Sequence, residues 1–366
     1  MNILNALSNL EIREDVIAEL KEESLPLFIW GTGELAAEIN EYLKKNGIQI
    51  NGAFVSDEYY NGMMVFDGQL VERYEDIKEY PKFNVIMGHS NYEKISFMEE
   101  KENVNKVFYL FSVNYGIFHK TSIQEIRDYQ GEFEDAYGLF EDEESRKVYL
   151  SFLKTRVSGN IKYLLEVYKR EMNFFNNDIF VIDNKELYLD IGAFDGDTIR
   201  LFLKENGGKY CAIYALEPDS INKKKLEEYV QKASLQDVYI SSKGAWNKKC
   251  AISFETVGDQ ISSVINNENY AGGEVIDVEP VDNMFSYKGR VTLLKINYLE
   301  GVEEALQGAE SILKVDKPKL ALTVGFDCNN IRRIPKIIKE INPEYKLFLR
   351  YNRGMLSALT LYAVVC

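Results

Sequence analysis

The feature that most constrains this chain is the stretch Leu189-Asp190-Ile191-Gly192-Ala193-Phe194-Asp195-Gly196-Asp197-Thr198. It lies between an apolar run that begins at Leu187 and a helix-patterned segment through Ile199 and Phe202. A strand, a glycine turn and a helix in immediate succession are the opening of a parallel α/β unit. Glycine at the turn lets backbone approach a ligand closely, and the start of the helix offers N–H donors that no helical carbonyl uses. A second apolar run, Ala212–Leu216, ends in Glu217-Pro218 and is followed by a helix carrying Leu226, Tyr229 and Val230. In Rossmann-like units an acid at the end of the second strand accepts hydrogen bonds from ribose hydroxyls.

Either motif alone also suits a turn glycine or a surface acid. In this order they point to a nucleoside site. A dinucleotide would prefer G-x-G-x-x-G with no acid as near as Asp190. S-adenosylmethionine (SAM), with an ammonium, a sulfonium and no phosphate, fits an acidic glycine loop better.

The rest of the chain divides around this unit. Residues 1–23 read as an N-terminal helix, with Leu4, Leu7, Leu10, Val16 and Leu20 among acids and Pro26 beyond. Residues 24–120 read as a small Rossmann-like domain. Its first strand at Leu27–Trp30 runs into Gly31-Thr32-Gly33, a helix follows through Ile39 and Leu43, and further strands are expected at 48–55, 83–87 and 107–111. Helical periodicity dominates 121–180, a connector. Residues 181–366 form the second α/β domain. Strands are expected at 291–296 and 320–324, one helix through Val302, Ala305, Leu306, Ala309, Ile312 and Leu313, and a closing antiparallel hairpin at 347–350 and 359–365.

Composition excludes several classes. A net charge of −15 argues against a broad nucleic-acid-binding face. No unbroken apolar run approaches the roughly 20 residues of a membrane helix. The opening residues place acids where a secretory leader needs bases, so a cytoplasmic protein is expected. Cys211, Cys250, Cys328 and Cys366 form no C-x-x-C pair and read as reduced thiols.

From 140 to the end the motifs fall into a recognisable series: DEESRKVY at 142–149, SGN at 158–160, DIGAFDGDTI, ALEPD, SKGAWNK at 242–248, SSVI at 262–265, VEPVDNMF at 278–285, KPKLALTVGF at 317–326, IPKIIKEINPEYKLFLRY at 334–351 and LTLYA at 359–363. This series resembles the FkbM family of SAM-dependent methyltransferases. The resemblance implies a Rossmann-like methyltransferase domain with SAM as cofactor and a sugar-containing small molecule or glycan as partner. It places Asp190, Gly192, Ala193, Phe194, Gly196 and Asp197 along the methionine and ribose side of SAM. Glu217 and Pro218 fall at the ribose, and Ala245 and Trp246 at the adenine. Plain core packing is the alternative for Trp246.

The chain departs from that family on the acceptor side. Where the family carries Lys-x-Asp-x-Glu-Gly, this sequence reads Lys295-Ile296-Asn297-Tyr298-Leu299-Glu300-Gly301. Phe326-Asp327 replaces a His-Lys pair, and Tyr351 replaces a histidine. Asn297 cannot act as a base, so Asp327 is the first candidate, with Glu300 and Tyr351 behind it. No metal is expected.

In the N-terminal domain, Gly31, Thr32 and Gly33 form a G-x-G-x-x-A turn suited to phosphates, and Asp57 ends the second strand as a ribose ligand would. The segment resembles the nucleotide-sugar-binding part of sugar acetyltransferases, and a docking or homodimer scaffold is the alternative. Two further readings stand beside an O-methyltransferase. One is a catalytically degenerate SAM- or nucleotide-binding protein of glycan biosynthesis. The other is an NAD-linked enzyme using Tyr74 and Lys78, whose place in an acidic loop-like stretch argues against it.

Overall fold

A computed structural model describes residues 1–13, 15–110, 121–170, 172–175, 177–255, 263–264, 274–298, 301–352 and 359–365. Its first sheet has five strands: β1 Leu27–Trp30, β2 Gly52–Val55, β3 Glu72–Arg73, β4 Phe83–Met87 and β5 Val104–Tyr109. Their order is β3-β2-β1-β4-β5, all parallel. Strands β1, β2 and β4 are buried along their whole length, as a sheet covered on both faces requires. Helix α1, Glu34–Lys45, follows β1 and packs Ala36, Ile39 and Leu43 inward.

The single helix expected over 1–23 is instead two short helices, Ile3–Ala6 and Val16–Glu22. The apolar spacing was compatible with one helix, but a new N-cap interrupts it: the Asp15 side chain accepts from Ile17 N and starts the second helix. Between the two, the Arg13 guanidinium lies 3.6 Å from the Tyr109 ring centroid and donates to the Tyr109 carbonyl.

Helices Ile123–Asp128, Gln130–Gly138, α2 Glu143–Ser158 and Lys162–Leu165 occupy the connector. Asp142 caps α2, and Gly159 ends it in the left-handed region, φ 73°. The buried Arg350 guanidinium fastens this connector to the second sheet, pairing with Asp142 at 2.8 Å and Asp178 at 3.0 Å.

The second sheet has seven strands: β6 Leu187–Ile191, β7 Ala212–Leu216, β8 Val238–Ser241, β9 Leu293–Ile296, β10 Lys319–Thr323, β11 Lys346–Tyr351 and β12 Leu359–Val364. Their order is β8-β7-β6-β9-β10-β12-β11. Only β12 is antiparallel, inserted between β10 and β11. The expected Rossmann-like class, mostly parallel with an antiparallel closing hairpin, is therefore present. Helices α3 Asp197–Glu205, α4 Ser220–Lys232, α5 Val302–Gln307 and α6 Cys328–Ile341 accompany it. One continuous apolar core runs from Phe28 and Trp30 through Phe152 to Leu189 and Leu349, so the two sheets share a core through the connector.

Two further features differ from the sequence reading. The segment after β8 builds a separate four-stranded sheet from Gly244–Ala245, Cys250–Glu255, Ser263–Val264 and Glu274–Glu279. The helix expected through 302–313 stops at Gln307 and resumes as a wide turn at Ile312–Asp316. At Gly308 an added Cβ would lie 1.9 Å from the Trp246 carbonyl oxygen, so the crossing chain occupies the space a side chain would need.

Candidate functional site

The β6–α3 loop sits at the carboxyl edge of the second sheet, beside the point where strand order reverses between β6 and β9. Open α/β sheets bind ligands at such a point. Gly192 (φ 77°) and Gly196 (φ 87°) adopt left-handed backbone, as does the non-glycine Phe194 (φ 50°), an unfavourable state that its neighbours must hold. The Leu216 carbonyl accepts from both Gly192 N and Ala193 N at 3.0 Å. Glu217 Oε2 accepts from Phe194 N at 2.7 Å, and Oε1 from Asp219 N at 3.0 Å. The ends of β6 and β7 are thus stitched together by one carboxylate.

Glu217 is 6% exposed. Burial pushes its carboxyl up to about 7, against the two backbone N–H groups that favour the charged form. Pro218 leads into α4, whose first turn is capped by Asp219 through Ile221 N and Asn222 N.

Asp190 is fully buried, and both its oxygens are engaged within the protein: Oδ1 by Lys295 Nζ at 2.8 Å and Oδ2 by Thr198 Oγ1 at 2.8 Å. The sequence reading set Asp190 among the residues lining the ligand. The geometry makes it an internal clamp, because Lys295 lies directly across from it in the β9–β6 register. Lys295 Nζ also donates to the Gly192 carbonyl at 2.6 Å, holding the glycine turn itself. Desolvation raises the Asp190 carboxyl, and Lys295 opposes the rise. Lys295 was missed as a site residue. Its signal was legible: a lone lysine inside the apolar run LLKI demands a buried partner.

The remaining loop residues serve local geometry. Ala193 is fully buried. The Phe194 ring lies 5.7 Å from Lys225 Nζ, and Asp197 Oδ1 accepts from Thr198 N. Ala245 is buried, and Trp246 is half-buried against Phe254, Ile276 and Val278. The Trp246 ring crosses the start of α5, where a Cβ on Gly301 would lie 2.6 Å from its Cζ3. Packing therefore accounts for much of its surface.

Of the four candidate acceptor-side residues, Asn297 lies against the loop and Asp327 follows the carboxyl end of β10, the strand beside β9. Asn297 N donates to the Ile191 carbonyl, and its Oδ1 accepts from Thr323 Oγ1 at 2.7 Å. Asp327 stands exposed beyond β10, where its carboxylate caps α6 through Asn329 N and Nδ2. Tyr351 is fully buried on the far flank, its ring centroid 5.6 Å from that of Tyr168. It therefore does not stand at the glycine loop, because β12 and β10 separate β11 from β9. Glu300 lies outside the described residues. Among the described residues no three His, Cys, Asp or Glu side chains converge on a common point, and no helix is long and apolar enough to cross a membrane.

The loop's tightness gives a direct prediction. A Cβ on Gly192 would meet the Asn297 carbonyl oxygen at 2.5 Å, with φ already in the left-handed region. Gly192→Ala is expected to destabilise the protein by about 2–4 kcal/mol, combining overpacking with backbone strain. Urea denaturation measures it, and an unchanged midpoint would contradict the close approach.

In the first sheet the corresponding turn follows β1. Gly31 (φ 115°) passes against Gly88, whose carbonyl oxygen is 3.1 Å from an added Cβ, and Gly33 precedes α1. Thr32 lies between them, and Asp57 stands exposed just past β2.

No family model and no curated protein matches this sequence. Among solved structures, methyltransferase FkbM from Methylobacillus flagellatus KT aligns with 99% of this chain and 98% of its own, with 16% identity and a TM-score of 0.71. A rRNA methylase from Streptococcus thermophilus aligns with 50% of this chain and 90% of its own, at 12% identity and a TM-score of 0.32, too distant to carry an argument. The chain shares the FkbM methyltransferase fold over nearly its whole length, the N-terminal sheet included.

Proposed function

We propose that this chain is a SAM-dependent methyltransferase acting on an oxygen of a sugar-containing acceptor in the cytoplasm. The observation that carries the reading is Glu217, a buried carboxylate at the end of β7 that holds the β6–α3 loop and whose charge is poorly solvated. A ribose diol offers the hydroxyl donors that such a carboxylate lacks. SAM, once bound, supplies an electrophilic methyl on a sulfonium.

The protein's own part is positioning. The clamp of Lys295 on Asp190 and Gly192 keeps the loop in its strained form. Asn297, fixed by Thr323 and set against the glycine turn, orients the attacking hydroxyl in this reading. A sugar hydroxyl is nearly as weak an acid as water, so its proton must pass to a base as the C–O bond forms and the methyl's bond to sulfur breaks. Asp327 is that base in this reading. A second reading, a chain that binds SAM without transferring its methyl, is favoured by one observation: the Asp327 carboxylate is already used as a helix cap.

Titration calorimetry with SAM and S-adenosylhomocysteine tests donor binding. Release of S-adenosylhomocysteine in the presence of sugar nucleotides and glycans separates the two readings. Absence of binding to either donor form would remove both. Binding should also depend on pH with a defined sign. Proton and ribose compete for the same oxygens, so affinity rises with pH through about 7, where the free Glu217 carboxyl ionises. Below that point it weakens by roughly tenfold per pH unit until Glu217 is protonated in the complex as well. A flat profile between pH 5.5 and 8 would remove Glu217 from the site.

A further inference from the structure

Strand β9 is buried along its whole length, and the chain leaves it at Asn297, which is half-buried. The backbone of Asn297 is pressed against the glycine turn. Its N–H donates to the Ile191 carbonyl at 3.0 Å, and a Cβ on Gly192 would lie 2.5 Å from the Asn297 carbonyl oxygen. The residue therefore stands on the rim of the turn that the donor reading fills.

An asparagine amide has one accepting oxygen and two donating N–H groups, and which end meets a ligand depends on what holds the other. Here Thr323 decides it. Thr323 is 1% exposed at the end of β10, the strand beside β9, and its hydroxyl donates to Asn297 Oδ1 at 2.7 Å. That length is ordinary for a hydroxyl donor and short for an amide donor. Turning the amide over would leave the buried Thr323 proton without this acceptor, which burial makes costly. The oxygen end is thus committed to β10, and among the described residues Nδ2 has no partner.

Asn297 therefore offers a ligand two donors and no acceptor. A ligand hydroxyl set against Nδ2 would still have its own proton to place. An ionised carboxylate has acceptors only, and its hydrogen bonds are the stronger, charge-assisted kind. Two acids of the loop are already held, Asp190 by Lys295 and Thr198, and Asp195 by Arg200 at 2.6 Å.

We propose that Asn297, with Thr323 as its positioning residue, recognises a ligand carboxylate through Nδ2. The inference rests on the methyltransferase reading above and deepens it. Two ligands of that reading can carry the group: the donor at its methionine end, and an acceptor that contains an acidic sugar. Nδ2 has two hydrogens, so one remains for the attacking hydroxyl.

Two titration series on the full chain separate these sources. The first compares S-adenosylhomocysteine with its decarboxylated form, and adds 5′-methylthioadenosine, which has the adenosine and no amino acid. The second compares a methyl hexuronide with the matching neutral methyl hexoside. In the series whose ligand meets Asn297, the parent is expected to prefer the carboxylate by about tenfold or more. Asn297→Asp should lower that preference by about 100-fold, because a charge-assisted bond becomes a like-charge contact. Thr323→Val frees the amide to turn over and should lower it by about tenfold, whereas Thr323→Ser keeps the hydroxyl and should restore it. A merely structural role would weaken carboxylated and neutral ligands alike and leave the preference where it was. The proposal is overturned if neither series shows a preference, or if Asn297→Asp leaves the preference within about twofold of the parent's in both. Should methylthioadenosine bind while neither preference follows Asn297, this inference falls and the donor reading stands. Should no adenosyl ligand bind while the hexuronide preference follows Asn297, the donor reading falls alone.

Discussion

Replacing Lys295 by methionine is expected to destabilise the protein by about 3–5 kcal/mol, the usual cost of removing one partner of a fully buried ion pair. Both side chains are shielded from solvent, at 2.8 Å, and Lys295 and Thr198 each hold one oxygen of the Asp190 carboxylate. The variant has a characteristic pH dependence. Without its cation, the Asp190 carboxyl, already raised by burial, rises further. A carboxyl whose folded pKa exceeds its unfolded value costs stability as pH rises above the unfolded value. The loss should therefore be smaller near pH 5 and larger near pH 8. The double variant Asp190→Asn with Lys295→Met should recover more than half of it, because no buried charge remains. Urea denaturation at two pH values reads all three quantities. A single variant as stable as the parent at pH 8 would show that the pair is not the clamp described here. The same substitution frees the Gly192 carbonyl, so weaker donor binding should accompany it.

The second large effect falls on ligand binding. Glu217→Ala is expected to weaken S-adenosylhomocysteine binding by about 100-fold, or about 2.7 kcal/mol, since two charge-assisted hydrogen bonds to a ribose diol are lost. Glu217→Gln keeps the shape and one acceptor oxygen, so it should lose about tenfold and no longer respond to pH between 5.5 and 8. The alanine variant also releases Phe194 N and Asp219 N. Circular dichroism and a melting curve separate a loosened loop from a lost ligand contact. If the alanine variant binds S-adenosylhomocysteine as tightly as the parent, the ribose belongs elsewhere and the donor assignment goes with it.

These two residues mark how far the sequence could be read. Glu217 was legible because its meaning is local: an acid that ends an apolar strand and precedes a proline and a helix can stand only at a sheet edge. Gly192 and Gly196 were legible for the same reason, a turn between strand and helix that needs left-handed backbone. Asp190 carried the same local signature, yet its carboxylate faces inward. What it touches is a lysine 105 residues later, and no local pattern reports a partner at that separation.

Tyr351 makes the same point at larger scale. Its place in the closing hairpin followed from alternating apolar residues on either side of the chain's last turn. That β12 would insert between β10 and β11, carrying Tyr351 away from the glycine loop and against Tyr168, is a matter of strand order. The four-stranded sheet after β8 was hidden for a related reason. Its strands are two to six residues long, and they pair with one another rather than with the main sheets. Two α/β units, the helical segment between them and the glycine turn of each were legible in the chain alone, because period, glycine and strand-end charge act over a few residues. The tertiary structure alone decided which buried charges meet, which candidate bases reach the loop, and that the two sheets share one core. Those outcomes depend on contacts between distant segments, where burial makes an unpaired polar group costly whatever its sequence neighbours are.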